Sequence, residues 1–387
     1  MIPCARRSSR LPAALSLLFM ASAWAAEPLS LDGGLGQGVT VRAADDRFSL
    51  TTRLRVQARG NWTGGEDNTL GAEVRRMRLL FQGNFFGPAW QYYVQFGFSN
   101  GDTEADLRLP LRDAYVTWSG LRDVNVRFGQ GKVPFNRQRV VSSSALQFVD
   151  RSRSNAEFNL DRDVGVQLLS NDLLGLGGRL AYNLGVFGGD GRNRTGPLND
   201  GVLAVARLQW APLGGFADLV EADIARDARP RLAFQVAGAW NRSTVRARST
   251  FDATYALGPY DYAHANADVL FKWRGLSVHG EFLYREAVGT RRRVGPDGKT
   301  EISRSGWGYH AQVGYMVGER LELVGRVGEV VPLGELTGVK RAGEYGGGVN
   351  WYFQDHAFKL QADAFWLTGA IFRDGHPQVR LQAQVYL

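Results

Sequence analysis

A single cysteine, Cys4, is all the thiol this 387-residue sequence contains, and it stands in a leader-like start. The rest of the chain can therefore form neither a disulfide nor a thiolate metal site. Beyond residue 25 no stretch of 18 consecutive apolar residues occurs, which excludes helical membrane spans. Lysine is scarce as well: Lys132, Lys272, Lys299, Lys340 and Lys359 are the whole set, so the basic character rests on arginine. Gly129-Gln130-Gly131-Lys132 lacks the spacing and the Ser/Thr of a phosphate-cradling loop, and the glycines of 188–191 read as loop residues. Asp45/Asp46 and Glu221/Asp223 fall outside the strand pattern, where charge clusters are solvated. His264, His279 and His310 fall on polar strand faces at different expected heights, against a shared metal site. These absences predict no catalytic residues, no metal ligands, no cofactor and no nucleic-acid partner, hence no enzyme.

What is present begins with an arginine-bearing start, an apolar run at 11–20 and Ala23-Trp24-Ala25, a small-x-small cleavage pattern. Residues 1–25 read as a secretory signal peptide and 26–47 as a periplasmic lead-in. Losing Arg6, Arg7 and Arg10 lowers the formal charge from +8 to +5, which still favours anionic partners.

From residue 48 the sequence alternates. Phe48, Leu50, Thr52, Leu54, Val56 and Ala58 share one face; Ser49, Thr51, Arg53, Arg55, Gln57 and Arg59 share the other. That period of two marks a strand with unlike faces. The pattern recurs at 73–85, 89–99, 111–118, 123–130, 163–170, 178–187, 202–210, 231–241, 262–273, 276–286, 305–316, 320–328, 343–353, 357–367 and 378–387, which makes sixteen segments. With 48 glycines, an 11% aromatic share and a mean hydropathy of −0.23, the chain hides its hydrophobicity in alternate positions. The expected fold is all-β, a 16-stranded antiparallel transmembrane β-barrel over 48–387.

The connections support this. Short ones (86–88, 119–122, 274–275, 317–319, 354–356) alternate with connections of about ten residues or more, as expected for short periplasmic turns and long outer loops. The connection 211–230 breaks the rule and has no explanation at this level. Trp90, Trp118, Trp210, Trp273 and Trp351 fall at short-turn ends; Trp62, Trp240, Trp307, Tyr345 and Trp366 fall near the long ends, giving two girdles. The last segment pairs with the first and removes the open edge.

The longest stretch without a strand pattern, 131–162, carries Lys132, Arg137, Arg139, Arg151, Arg153 and Arg162 and reads as a basic constriction loop inside a pore. Alternation assigns Arg53, Arg55, Arg59, Arg76, Arg78, Arg127, Arg207 and Arg326, with Arg285 and Arg380, to the lumen. An arginine facing lipid at mid-depth costs about 2–4 kcal/mol, so the interior is also the favourable place. Cationic rings select anions, and guanidinium matches phosphate or carboxylate oxygens in pairs. Arg291, Arg292 and Arg293 in an outer loop serve either to concentrate anions or to bind lipopolysaccharide phosphates.

The segments 73–96 (EVRRMRLLFQGNFFGPAWQYYVQF), 111–118 (LRDAYVTW), 129–135 (GQGKVPF), 142–152 (SSSALQFVDRS) and 162–168 (RDVGVQL) resemble the phosphate-selective porin O and P family. The resemblance implies a homotrimeric porin in the outer membrane of a Gram-negative bacterium, its third extracellular loop folded inward, passing small anions such as phosphate. It also implies roles for Lys132, Arg76, Arg78 and Arg151 in that path. The family's phosphate-specific members set lysines beside arginines; this chain has few. The rival reading is an outer-membrane barrel enzyme or adhesin acting through its loops.

Overall fold

The computed structural model describes residues 29–65, 67–103, 109–194, 200–216, 219–369 and 374–387; the expected signal peptide lies outside them. Twenty strands follow in order: β1 Leu29–Gly34, β2 Gly38–Ala43, β3 Phe48–Thr63, β4 Thr69–Phe85, β5 Trp90–Gly97, β6 Leu111–Trp118, β7 Asn125–Lys132, β8 Arg162–Ser170, β9 Leu180–Phe187, β10 Val202–Trp210, β11 Arg231–Thr244, β12 Tyr260–Trp273, β13 Leu276–Val288, β14 Arg292–Val294, β15 Thr300–Ile302, β16 Gly306–Val317, β17 Leu321–Pro332, β18 Ala342–Gln354, β19 Phe358–Thr368 and β20 Gly375–Tyr386. Two short helices, α1 Arg137–Val140 and α2 Arg153–Phe158, lie between β7 and β8.

Sixteen of the strands, β3–β13 and β16–β20, pair antiparallel with their neighbours, and β20 returns to β3. The ring closes on itself, so the sheet has no terminal strand facing lipid, the condition for a sheet in a membrane. All sixteen sequence-expected strands are found, with ends moved by a few residues.

Side chains sort by the pleat. Along β12, Tyr262, His264, Asn266, Asp268, Leu270 and Lys272 are buried, and the residues between them are more exposed. The outer face bears Leu184, Val186, Phe234, Val236, Phe282, Val313, Leu323 and Leu381. Trp210, Trp273 and Trp351 are exposed at one rim, and Trp62, Trp240 and Trp366 at the other, so both girdles stand.

The lead-in folds onto the sheet. β1 and β2 make a hairpin, and β2 pairs Val39–Arg42 with Ser49–Thr52 of β3. β20 pairs with the later part of β3, up to Arg55, and Leu387 and Leu54 exchange backbone hydrogen bonds of 2.7 and 2.9 Å. The hairpin thus occupies the edge of β3 that the last strand does not reach. Gly36 and Gly38 allow this approach: both have φ near +80°, and a Cβ on Gly38 would stand 2.3 Å from the Thr52 carbonyl oxygen.

Candidate functional site

Residues 133–161 make contacts with the inner face of the ring. Their two legs are anchored by Val133, Phe135, Phe158 and Leu160, which pack with Phe187, Leu203, Leu283 and Val330 from the inner wall. Beyond that apolar seat, polar contacts take over. Arg137 Nε donates to Asp268 at 2.5 Å, Gln138 N–H to Glu281 at 3.3 Å, and Gln147 Nε2 to Glu322 at 2.6 Å. Val149 N–H donates to Asp363 at 3.0 Å and Arg153 N–H to Glu344 at 3.1 Å. The loop therefore leans on a carboxylate-bearing wall formed by β12, β13 and β17–β19.

The opposite wall, β3–β10, is basic and is not covered in the same way. Three adjoining cavities run along it. The first, about 150 Å³, lies at the long-connection end and is lined by Arg75, Arg76, Arg78, Arg112, Lys132, Arg139, Arg151, Arg162 and Arg192, with Asp161 the one carboxylate in its lining. It shares Arg78, Lys132 and Arg162 with a second cavity of about 430 Å³. That one shares Tyr93, Tyr115 and Arg127 with a third, about 350 Å³, which reaches Pro88 and Gln91 at the short-turn end. Together they make a route along one side of the barrel.

Pairing within the basic cavity is incomplete. Arg78 and Arg112 approach Asp102 at 2.6 and 3.4 Å, and Arg162 holds Asp113 through two bonds of 3.0 Å. Arg75 and Arg76 share Asp150 at 3.3 and 2.7 Å, and Arg139 pairs with Asp161. Lys132 Nζ instead donates to the carbonyls of Val140 and Val141 at 2.7 and 3.2 Å, and Arg151 to those of Gln138 and Val141, both at 2.7 Å. Burial, then the neighbouring Arg139 and Arg76, push the Arg151 guanidinium well below its ordinary value. A cation crowded by cations is relieved by an anion.

The expected site residues separate into groups. Lys132, Arg139, Arg151, Arg76, Arg78, Arg127 and Arg207 line the route. Arg127 lies over the Tyr115 ring at 4.4 Å, and that ring stacks on Tyr93 at 5.1 Å. Arg137, 1% exposed on Asp268, and Arg153, which donates to the carbonyls of Gly343 and Thr368, belong to the anchoring side. Arg326 pairs with Glu344 and lies over Phe148, Arg285 pairs with Glu157, and Arg380 holds Asp363. Arg55 donates to Ser142 and Ser143, Arg59 pairs with Asp150 and Glu73, and Arg53 donates to the Gln37 carbonyl of the hairpin. At the mouth, Arg291 pairs with Glu286 and Arg293 lies over Tyr260, in the connection that carries β14 and β15.

Three cavity cations, Arg75, Arg112 and Arg192, fall outside the sequence-expected set. Arg75 and Arg112 occupy register breaks: Gln57 faces Arg76 while Ala58 faces Val74, and Gln95 faces Asp113 while Phe96 faces Leu111. Each is the extra residue of a bulge, and each is turned into the cavity. Arg192 comes from a long connection, while Arg162, the last cation of the expected basic stretch, is the first residue of β8.

Two expectations are corrected. His279 and His310 are not at separate heights; their rings meet at 4.9 Å, since Glu281 pairs with His310 and His279 with Gln312 one diagonal away. Glu221 and Asp223 are not solvated but 1% and 4% exposed.

Comparison with known proteins agrees with this architecture. The chain is similar in structure to OmpF of Salmonella typhi in complex with daunomycin, with a TM-score of 0.59 at 10% identity over 89% of this chain and 99% of that one. It is similar to the anion-selective porin from Comamonas acidovorans, with a TM-score of 0.56 at 12% identity over 88% and 100%. The trimer form of OmpT, an outer membrane protein of Vibrio cholerae, gives 0.54 at 12% over 88% and 100%. Identities this low speak to the fold alone. No curated protein matches the chain. The family model of the phosphate-selective porins O and P matches residues 50–279, more than half the sequence, so this outer-membrane barrel belongs to the phosphate-selective porin O and P family.

Proposed function

We propose that this porin is a passive, anion-selective diffusion channel for phosphate or similar small anions, and that the solute follows the basic wall. The observation that carries this reading is the 150 Å³ cavity where nine cationic side chains converge. In a narrow, partly dehydrated passage each cation is screened less than in bulk water, and their summed potential favours an anion by a few kcal/mol. The interior loop is the inward-folded third outer loop of this reading, and its acidic contacts turn the carboxylates away from the solute.

The same reading makes the protein a trimer. Strands β5, β6, β7 and β9 are only eight residues long, whereas β11 and β12 have fourteen. Eight residues at ~3.3 Å each, tilted ~40°, rise ~20 Å, short of an apolar band of ~25 Å. A wall too short for lipid is suited to contact with another subunit.

The test is a reversal potential across a planar bilayer holding purified protein between unequal KCl concentrations. The expected sign is that of a chloride-permeable channel, with phosphate reducing the chloride current. A cation-selective potential, or no steady conductance, sinks the proposal; the second result would favour a barrel whose loops do the work.

A further inference from the structure

The odd connection between β10 and β11 has a place inside the barrel. Its last part lies at the short-turn end, where Trp273 Nε1 donates to the Ala228 carbonyl, the Arg274 N–H to the Asp227 carbonyl at 3.0 Å, and Arg226 to the Gly318 carbonyl at 2.8 Å. Residues 226–228 thereby lie across two neighbouring short turns. Asp223 then accepts from the Gly275 N–H at 2.7 Å, and 219–222 turn inward. Ala222 packs with Met316 and Tyr352, Val220 against Val141, Ala145 and Leu146 of the interior loop, and Leu219 lines the 430 Å³ cavity.

Glu221 makes the decisive contact. One carboxylate oxygen accepts from Gln138 Nε2 at 3.2 Å, and the other from the Gln147 N–H at 2.9 Å. Those two points lie nine residues apart in the loop, one in α1 and one in the turn beyond it. Asp268, Glu281 and Glu322, which also seat this part of the loop, come from the barrel wall; Glu221 comes from the β10–β11 connection. Buried carboxylates of this kind are tolerated because their oxygens are satisfied, and removing one leaves donors without partners.

We propose that residues 219–228 are a second constriction element, entering from the end opposite the loop, and that Glu221 is a positioning residue. It holds 133–161 against the acidic wall of Asp268, Glu281 and Glu322 and so closes the route a cation would take. The anion path on the basic wall is then what the molecule leaves open. This rests on the channel reading above but assigns selectivity to a residue that touches no solute.

The experiment compares full-length wild type, Glu221→Ala and Glu221→Gln in planar bilayers, each first checked for the heat-dependent mobility shift of a closed barrel. With Glu221→Ala the loop loses its lower clamp; conductance and open-channel noise should rise, and the anion-to-cation permeability ratio should fall severalfold. Glu221→Gln keeps one acceptor oxygen and should lie between the two. Wild-type conductance and wild-type reversal potential in folded Glu221→Ala overturn the proposal. If Glu221→Ala does not close its barrel, Glu221→Gln decides alone, and wild-type values there overturn it equally. A wild type that is not anion-selective defeats the channel's assigned solute, while a conductance rise in the variants would still sustain the clamp.

Discussion

Arg137 and Arg139 are two residues apart, yet one is locked on Asp268 in the acidic wall and the other faces the basic cavity beside Asp161. No rule of spacing distinguishes them, because their partners lie far apart in the sequence and the segment has no period. Their substitutions should differ in kind. Arg139→Gln with Arg151→Gln should lower the anion preference at unchanged barrel closure, whereas Arg153→Gln, bound to carbonyls on the far side, should leave the reversal potential at its wild-type value. Arg137→Ala leaves Asp268 buried without its cation, a loss of about 3–5 kcal/mol for a broken buried pair. It should show as proteolysis of the 133–161 loop in otherwise heat-resistant barrels; a loop as resistant as wild type would mean that the pair adds no stability. Arg75 and Arg112 were hidden from sequence reading by their bulges, since strict alternation gives each to the lipid face. Single Arg112→Gln should weaken anion preference about as much as Arg139→Gln; an unchanged reversal potential would place Arg112 in a purely structural role beside Asp102.

At the scale of elements, legibility follows periodicity. Strands with one lipid face and one polar face have a period of two enforced along their length, so all sixteen could be read. The 29–43 hairpin, the interior loop and the β10–β11 connection obey no period, and the loop and the connection are buried by partners from about 50 to more than 200 residues away. Gln147, for instance, donates to Ser277 and Glu322. The glutamate of 221 looked solvated for that reason. Strand length leads to a prediction on assembly. Val166 and Val186 are about half exposed on the outer face of the short wall. In the proposed trimer they would be covered by neighbours, so Val166→Asp and Val186→Asp together should yield monomers in mild detergent, seen by mass-resolved chromatography. The matched pair Val236→Asp and Val313→Asp, on the long wall, should lower insertion but leave subunits that do insert trimeric. Trimers from the short-wall variant would count against that contact.

For the whole molecule, charge and topology act together. The preference for anions should shrink between 0.1 M and 1 M salt, as the Debye length falls from about 10 Å to about 3 Å; a ratio that does not change with salt would point to size sieving instead of field. Tags placed between β14 and β15 should be accessible on intact cells, and tags at Arg274-Gly275 should not; surface labelling at residue 274 would invert the orientation. The seam of the ring has a consequence of another kind. β3 gives the first part of one edge to β2 and leaves only the remainder to β20, whose Tyr386 carbonyl accepts the Gly36 N–H at 2.7 Å. The N-terminal hairpin therefore works as a stop: the last strand can slide along β3 only until it meets the hairpin. A slip of one residue there would turn the glutamines of β20 outward and Val379, Leu381 and Val385 inward. Pairing across more than 300 residues gains little guidance from chain proximity, and the hairpin seated on β3 limits the registers open to the closing strand.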